Sequence, residues 1–303
     1  MSTRATGIGL AFVTAVVSGV SIFVNGHAVK HFHDATVYTT AKNAVAGALL
    51  VVLVLTTRPR ASERSDEAPA GSRRWLALLG VAVIGGSVPF VLFFEGLARS
   101  QATQAAFIQK TLVIWVALLA VPLLRERFRP PHALAIVLLL AGQAWLAGHA
   151  GTVVFGSGEA MILAATLLWA VEVVYVKHLL ASLDPRTLAV ARMGLGTALL
   201  VAWVVISGKA GALATLDAAQ WKWVVLTGLL LTTYVATWYA ALARAQAIDV
   251  TAVLVFGAVI TALLSGAADG TPINVTGTIL VAVGVAIAAA VGIARPAPLP
   301  AAR

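Results

Sequence analysis

Long runs of Leu, Val and Ala recur along the chain, broken by short clusters of charge, proline and glycine. Each run is about 20 residues, the length an α-helix needs to cross a hydrocarbon core about 30 Å thick. Ten such runs are read near residues 7–29, 35–55, 75–95, 102–124, 131–148, 158–178, 186–206, 221–242, 249–267 and 273–293. None alternates apolar and polar positions as lipid-facing barrel strands must, so each backbone is expected to satisfy itself as a helix. The pattern predicts an all-α integral membrane protein with ten transmembrane helices.

Composition supports that reading. The 303 residues have a mean hydropathy of +0.94 and are only 11% charged, against roughly 25% in soluble domains. This excludes an ordinary soluble enzyme, a nucleic-acid binder or a disordered chain. Cysteine is absent, which removes disulfides, thiolate metal sites and a cysteine nucleophile. The net charge of +9 is informative only by position. With the N-terminus inside, 14 Lys and Arg fall on the inner side and four, Lys30, Arg99, Lys209 and Lys222, on the outer. The positive-inside rule therefore predicts that both termini are cytoplasmic, in a bacterial-type inner (plasma) membrane. Arg4 ahead of the first run, with Gly26 and Ala28 after it, resembles a secretory signal, but the repeat described next makes that run a retained span. Thr56 to Arg74 reads as a solvated cytoplasmic loop, too short to be a domain.

The second half restates the first. Val29-Lys30-His31 recurs as Val176-Lys177-His178, at an offset of 147 that lays Asn25 over Glu172. Lys42 lies over Arg192, each followed by Ala-Leu-Leu, at an offset of 150. Leu97-Ala98-Arg99-Ser100-Gln101-Ala102 matches Leu242-Ala243-Arg244-Ala245-Gln246-Ala247 at an offset of 145, with Phe93-Phe94 over Trp238-Tyr239. Residues 1–150 and 151–303 are thus expected to be two repeats of five helices. Five being odd, the halves enter the membrane in opposite senses, the sequence mark of alternating-access carriers with a site near the midplane.

With the Leu97–Ala102 hairpin and its echo, the Pro122-Leu-Leu-Arg-Glu-Arg-Phe128 run and the Ala141-Gly142 ending of span five, the chain resembles the drug/metabolite transporter superfamily, specifically its ten-helix EamA-type proteins. That family carries Gly-Glu at the span-four exit, where this chain has Arg125-Glu126 and, in its second half, Ala268-Asp269-Gly270. The resemblance implies a secondary-active transporter with cytoplasmic termini, moving small organic metabolites such as amino acids, often outward. Its motifs identify the family and not the cargo.

Polar residues spaced at helical periodicity mark faces turned to protein or water. Thr14, Ser18, Ser21 and Asn25 fall within about 60° on span one, and Gln101, Gln104, Thr111 and Trp115 within about 80° on span four. Trp169 and Glu172 are a turn apart on span six with Tyr175 further round, and Thr227, Tyr234 and Trp238 share a face of span eight. One reading is a shared cavity, the other ordinary hydrogen bonding between helices. The candidate substrate-binding set is Asn25, Gln104, Lys110, Trp115, Trp169, Glu172, Tyr175, Tyr234, Trp238 and Tyr239. A mid-helix charge costs about 3 kcal/mol on insertion scales, so Glu172 is either a transport residue or half of an ion pair stapling helices. Lys42 and Arg192 are expected to snorkel to the interface as structural charges. Glu172 with a facing cation would suit a zwitterion; exposed cations with Glu172 hidden would suit an organic anion or a drug/proton exchanger.

No zinc-protease, P-loop or serine-elbow motif is present, so no enzyme activity, cofactor or resident metal is expected. His27, His31 and His33 make at best a weak surface metal site. Lacking an ATPase domain, the protein should run on gradients. The expected partners are a small-molecule substrate and the lipid bilayer, not nucleic acid, the protein being a monomer or weak homodimer. A channel or an integral-membrane enzyme remains the alternative class.

Overall fold

The computed structural model describes residues 2–56, 71–146 and 155–294, and every regular element among them is helical. Most of the hydrophilic loop, the boundary expected at residue 150, and Arg295 and Arg303 lie outside the described residues. The spans are α1 (Thr3–His31), α2 (Ala35–Thr56), α3 (Ser72–Leu97), α4 (Gln104–Leu124), α5 (Pro130–Leu146), α6 (Ser157–Leu179), α7 (Pro185–Ile206), α8 (Ala218–Leu242), α9 (Ala247–Asp269) and α10 (Val275–Ala294). Their ends lie within four residues of the predicted ones. Nine have full spanning length, and α5, with 17 described residues, is the short one. It lies along α10, where Gly142 meets Val281 so closely that a Cβ would come within 2.7 Å of its backbone nitrogen.

The two halves repeat in backbone detail. α4 and α9 both end on a left-handed residue, Arg125 at φ 52° and Gly270 at φ 69°. Each is followed by a six-residue closing bond, Glu126 N–H to the Ala120 carbonyl at 3.3 Å and Thr271 N–H to the Ser265 carbonyl at 3.4 Å. Both helices are also interrupted at matched points. In α4 the helix breaks at Thr111, whose hydroxyl donates to the Ile108 carbonyl at 2.6 Å, and Ile114 N–H reaches only to Thr111 at 2.9 Å. Its partner breaks at Val255 and Phe256, and Val259 N–H reaches to Phe256 at 3.0 Å. A serine-type hydroxyl competing for backbone carbonyls weakens the local ladder, and interrupted spans of this kind characterise transporter sites.

The halves interleave rather than sit side by side: α1 packs on α8 and α9, α3 and α4 on α6, and α2 on α8. Spans α5 and α10 pair at the periphery. Among the described residues, the loops after α1, α3, α7 and α9 share one end of the bundle, here the Lys30 end, and those after α4, α6 and α8 share the other, the Arg125 end.

Candidate functional site

A central cavity occupies the interface between the halves. It receives side chains from all eight inner helices and none from α5 or α10. Its free volume is about 70 Å³, well below the roughly 300–1,000 Å³ of small-molecule pockets, so the cavity is narrow and closed down around its charged groups.

The first half supplies a cation held by neutral groups. Lys42 on α2 is 2% exposed; its Nζ donates to Asn25 Oδ1 at 3.3 Å and lies 3.4 Å from the centre of the Phe94 ring. Tyr38 OH donates to the same Asn25 oxygen at 2.5 Å, while Asn25 Nδ2 donates to the Ser21 carbonyl and hydroxyl. Phe90 and Tyr38 complete the aromatic surround of the ammonium. Such cation–π contacts contribute about 2 kcal/mol when desolvated. Among the described residues, no ion pair includes Lys42.

The second half supplies a compensated pair. Arg192 on α7 approaches Glu172 Oε1 at 3.7 Å, and Tyr239 OH donates to the same oxygen at 2.5 Å. All three are buried. Arg192 Nε also donates to the Gly85 carbonyl at 3.0 Å, and Trp169 Nε1 donates to it at 3.2 Å.

That carbonyl is available for a local reason. Pro89, four residues on, offers it no N–H. α3 widens into a π-turn over Ala82–Ser87, and the Ser87 hydroxyl takes up the Ala82 and Val83 carbonyls. A second π-turn, Ala191–Leu195, presents Arg192 from α7. The two widened helices cross backbone to backbone: a Cβ on Gly196 would stand 2.7 Å from the Gly86 carbonyl, which requires glycine there. π-turns within α-helices concentrate at functional sites.

The sequence-selected residues separate in the structure. Asn25, Trp169, Glu172, Tyr234 and Trp238 line the cavity, and Tyr239 stands behind Glu172. Lys42 and Arg192, expected at the interface, are buried on the cavity wall instead, because Asn25, Glu172 and the aromatic faces draw their heads inward. Lys110 lies one layer out, donating to Ser18 Oγ at 2.7 Å. Gln104, Trp115 and Tyr175 are not on the wall. Trp115 Nε1 donates to Thr111 Oγ1 at 3.3 Å, and Tyr175 covers Gly80. The break at Thr111 is the cause on α4, since one 100° wheel cannot span it. Gln109 faces the cavity in their place, its Oε1 without a partner among the described residues. Phe90, Phe93 and Phe94 also line it; as plain apolar residues in a lipid-facing sequence they gave no signal beyond the match of Phe94 to Tyr239.

The rim residues behave more simply. Glu95 pairs with Arg99 at 2.7 Å and accepts from Thr36. His27 pairs with Asp269 and His31 stacks on Trp223, and the described residues contain no group of three or more ligands able to hold a metal.

Two oppositely threaded five-helix units around a charged central cavity define a membrane transporter of the inverted-repeat class. The EamA-like transporter family matches residues 5–148 and 156–293, and the chain belongs to that family. An uncharacterized transporter of Archaeoglobus fulgidus is 29% identical over 147 residues, 47% of this chain and 50% of its own length. Another, of Methanothermobacter thermautotrophicus, is 27% identical over 155 residues, 49% of this chain and 45% of its own. The chain thus matches about half the length of these curated relatives. A solved crystal structure shares the fold over 97% of this chain and 99% of its own, with a TM-score of 0.71 at 17% identity.

Proposed function

We propose that this transporter is a secondary-active carrier of small organic solutes bearing a carboxylate, amino acids among them, working by alternating access between its two repeats. Lys42 carries the reading: a buried ammonium on the cavity wall with an amide and aromatic rings around it and no carboxylate. Removing a charge from water this far demands a partner, and a substrate carboxylate entering the cavity would supply one. Glu172, Gln109 and the aromatic faces of Trp169, Trp238 and Tyr234 provide what a zwitterion's ammonium and side chain need. A simple organic anion is the second reading, favoured by the wall's two cations against one carboxylate.

Export, the direction the family resemblance implies, with the Arg125 end in the cytoplasm, is part of the proposal. Proteoliposomes loaded with unlabelled solute test it, with labelled amino acids, monocarboxylates and organic cations outside, with and without a pH gradient. The carrier reading expects saturable counterflow of carboxylate-bearing solutes. Flux confined to organic cations, or unsaturable flux of the channel type, would contradict it.

A further inference from the structure

The matched ends of α4 and α9 carry different chemistry. At the Arg125 end, the Glu126 carboxylate accepts from the first N–H groups of α9, Ala247 at 2.7 Å and Ile248 at 3.1 Å. Lys177, at the end of α6, donates to the Leu242 and Ala245 carbonyls of the α8–α9 hairpin at 2.5 and 2.6 Å. His132 of α5 meets Asp249 of α9 at 3.2 Å, both only 2% exposed. Glu126 and His132 tie the α4–α5 hairpin of one half to α9 of the other, Lys177 braces the α8–α9 hairpin from α6, and all these groups are buried or partly so.

The offset of 145 that aligns the two left-handed caps lays Glu126 over Thr271, Asp249 over Gln104 and His132 over Gly277. Lys177 corresponds to Lys30. At the Lys30 end, Thr271, Lys30 and Ala102 line a pocket of about 240 Å³, and Thr271 and Lys30 are exposed. Asp269, two residues before the matched position, is engaged with His27. The Lys30 end has its own ties, Ser100 Oγ donating to Glu159 Oε1 at 2.8 Å and His27 meeting Asp269 at 3.3 Å, but the carboxylate that seats on a helix start at the Arg125 end has no counterpart at the matched position. A carboxylate on the free N–H groups of a helix start is favourable. At Glu126, burial pushes the carboxyl above its ordinary pKa against those N–H groups and Lys177, so desolvation offsets much of the gain. Such a latch can release.

We propose that Glu126 is the closing latch of the Arg125 end, and that its replacement by Thr271 at the matched position biases the carrier toward the state closed at the Arg125 end. The proposal rests on the alternating-access reading and adds the conformational preference. Thr271→Glu would install the missing carboxylate opposite the Ala102 and Thr103 N–H groups, the matches of Ala247 and Ile248, and Glu126→Gln would weaken the existing latch.

The natural absence of cysteine makes the test direct. A single reporter, Leu231→Cys on the cavity wall, is labelled with a membrane-impermeant maleimide from each side of oriented vesicles. With the natural latches, labelling is expected to be faster from the Lys30 end. Thr271→Glu should slow that reaction about tenfold, and Glu126→Gln should speed labelling from the Arg125 end. Unchanged rates in Thr271→Glu, whose exposed site tolerates the change without loss of folding, overturn the latch. Labelling follows conformation rather than flux. Absent carboxylate transport with shifted labelling therefore refutes the substrate reading alone, while flux with unshifted labelling refutes the latch alone.

Discussion

Lys42 and Arg192 stand at matched points of the two halves, and each has a ring from the matched helix beside it. Phe94 lies 3.4 Å from the Lys42 ammonium and Tyr239 lies 5.8 Å from the Arg192 guanidinium carbon. Their oxygen partners differ. Asn25 offers Lys42 an amide, where Glu172 offers Arg192 a carboxylate. The repeat holds the geometry constant while the chemistry diverges. One cation is neutralised within the protein and serves to join α6, α7 and α3; the proposed function leaves the other for a ligand to neutralise.

The largest effect should come from breaking the neutralised side. Arg192→Leu leaves Glu172 buried beside Tyr239 without a cation, and removing one member of a buried pair costs about 3–5 kcal/mol. Thermal unfolding in detergent should drop sharply, and the double change with Glu172→Gln should recover much of the loss. A single variant as stable as the natural protein would mean the pair does not hold the helices.

Glu172→Gln makes the second half chemically like the first. The protein should fold, because Lys42 already survives beside an amide. The wall then carries two cations and no carboxylate, so half-saturation for a dicarboxylate should fall about tenfold relative to a monocarboxylate, equivalent to about 1.4 kcal/mol. The pH dependence of flux should also change, since the cavity wall loses its carboxylate. An unaltered preference and pH profile would remove Glu172 from solute recognition and from proton coupling.

The smallest effect serves as a control outside the comparison. Asp34 caps α2 through the Thr36 and Val37 N–H groups and pairs with Lys209 at 2.5 Å. Burial pushes its carboxyl up, but Lys209 and the two N–H groups outweigh it and hold the pKa below the ordinary value. Asp34→Ala should cost about 1 kcal/mol of stability with affinity unchanged. A depressed carboxylate pKa stabilises above the unfolded value of about 3.9 and loses that contribution as pH falls through the folded one. The deficit should therefore be constant from about pH 5 to 8 and shrink in acid. Stability curves that diverge toward acid would contradict the cap.

Much of this architecture is legible before any coordinates. Lipid forces each span to be long, apolar and internally hydrogen-bonded, so the ten runs announce themselves. The repeat survives in charged and small residues such as Arg99 and Arg244, which stand out against leucine. Glu172, Trp169 and Trp238 are visible because polar or large aromatic groups inside a span need a reason. The rest depends on local departures from the ideal helix. The break at Thr111 turns Gln109 rather than Gln104 and Trp115 to the cavity. The π-turns at Ala82–Ser87 and Ala191–Leu195 bring the Gly85 carbonyl to Arg192. Lys42 is about 10 Å from its helix start by axial rise, within reach of the interface for a long stem; only the surrounding Asn25, Tyr38 and Phe94 show that it turns inward.

The most direct measurement concerns that lysine. Half-saturation for counterflow of a labelled amino acid is compared with that of its carboxamide derivative, in the natural protein, in Lys42→Arg and in Lys42→Gln. The account predicts that the acid outcompetes the amide at least tenfold in the natural protein, that Lys42→Arg keeps most of this preference, and that Lys42→Gln abolishes it while the protein still folds. Equal discrimination by the folded Lys42→Gln protein would contradict the assignment of the unpaired ammonium to the substrate's carboxylate.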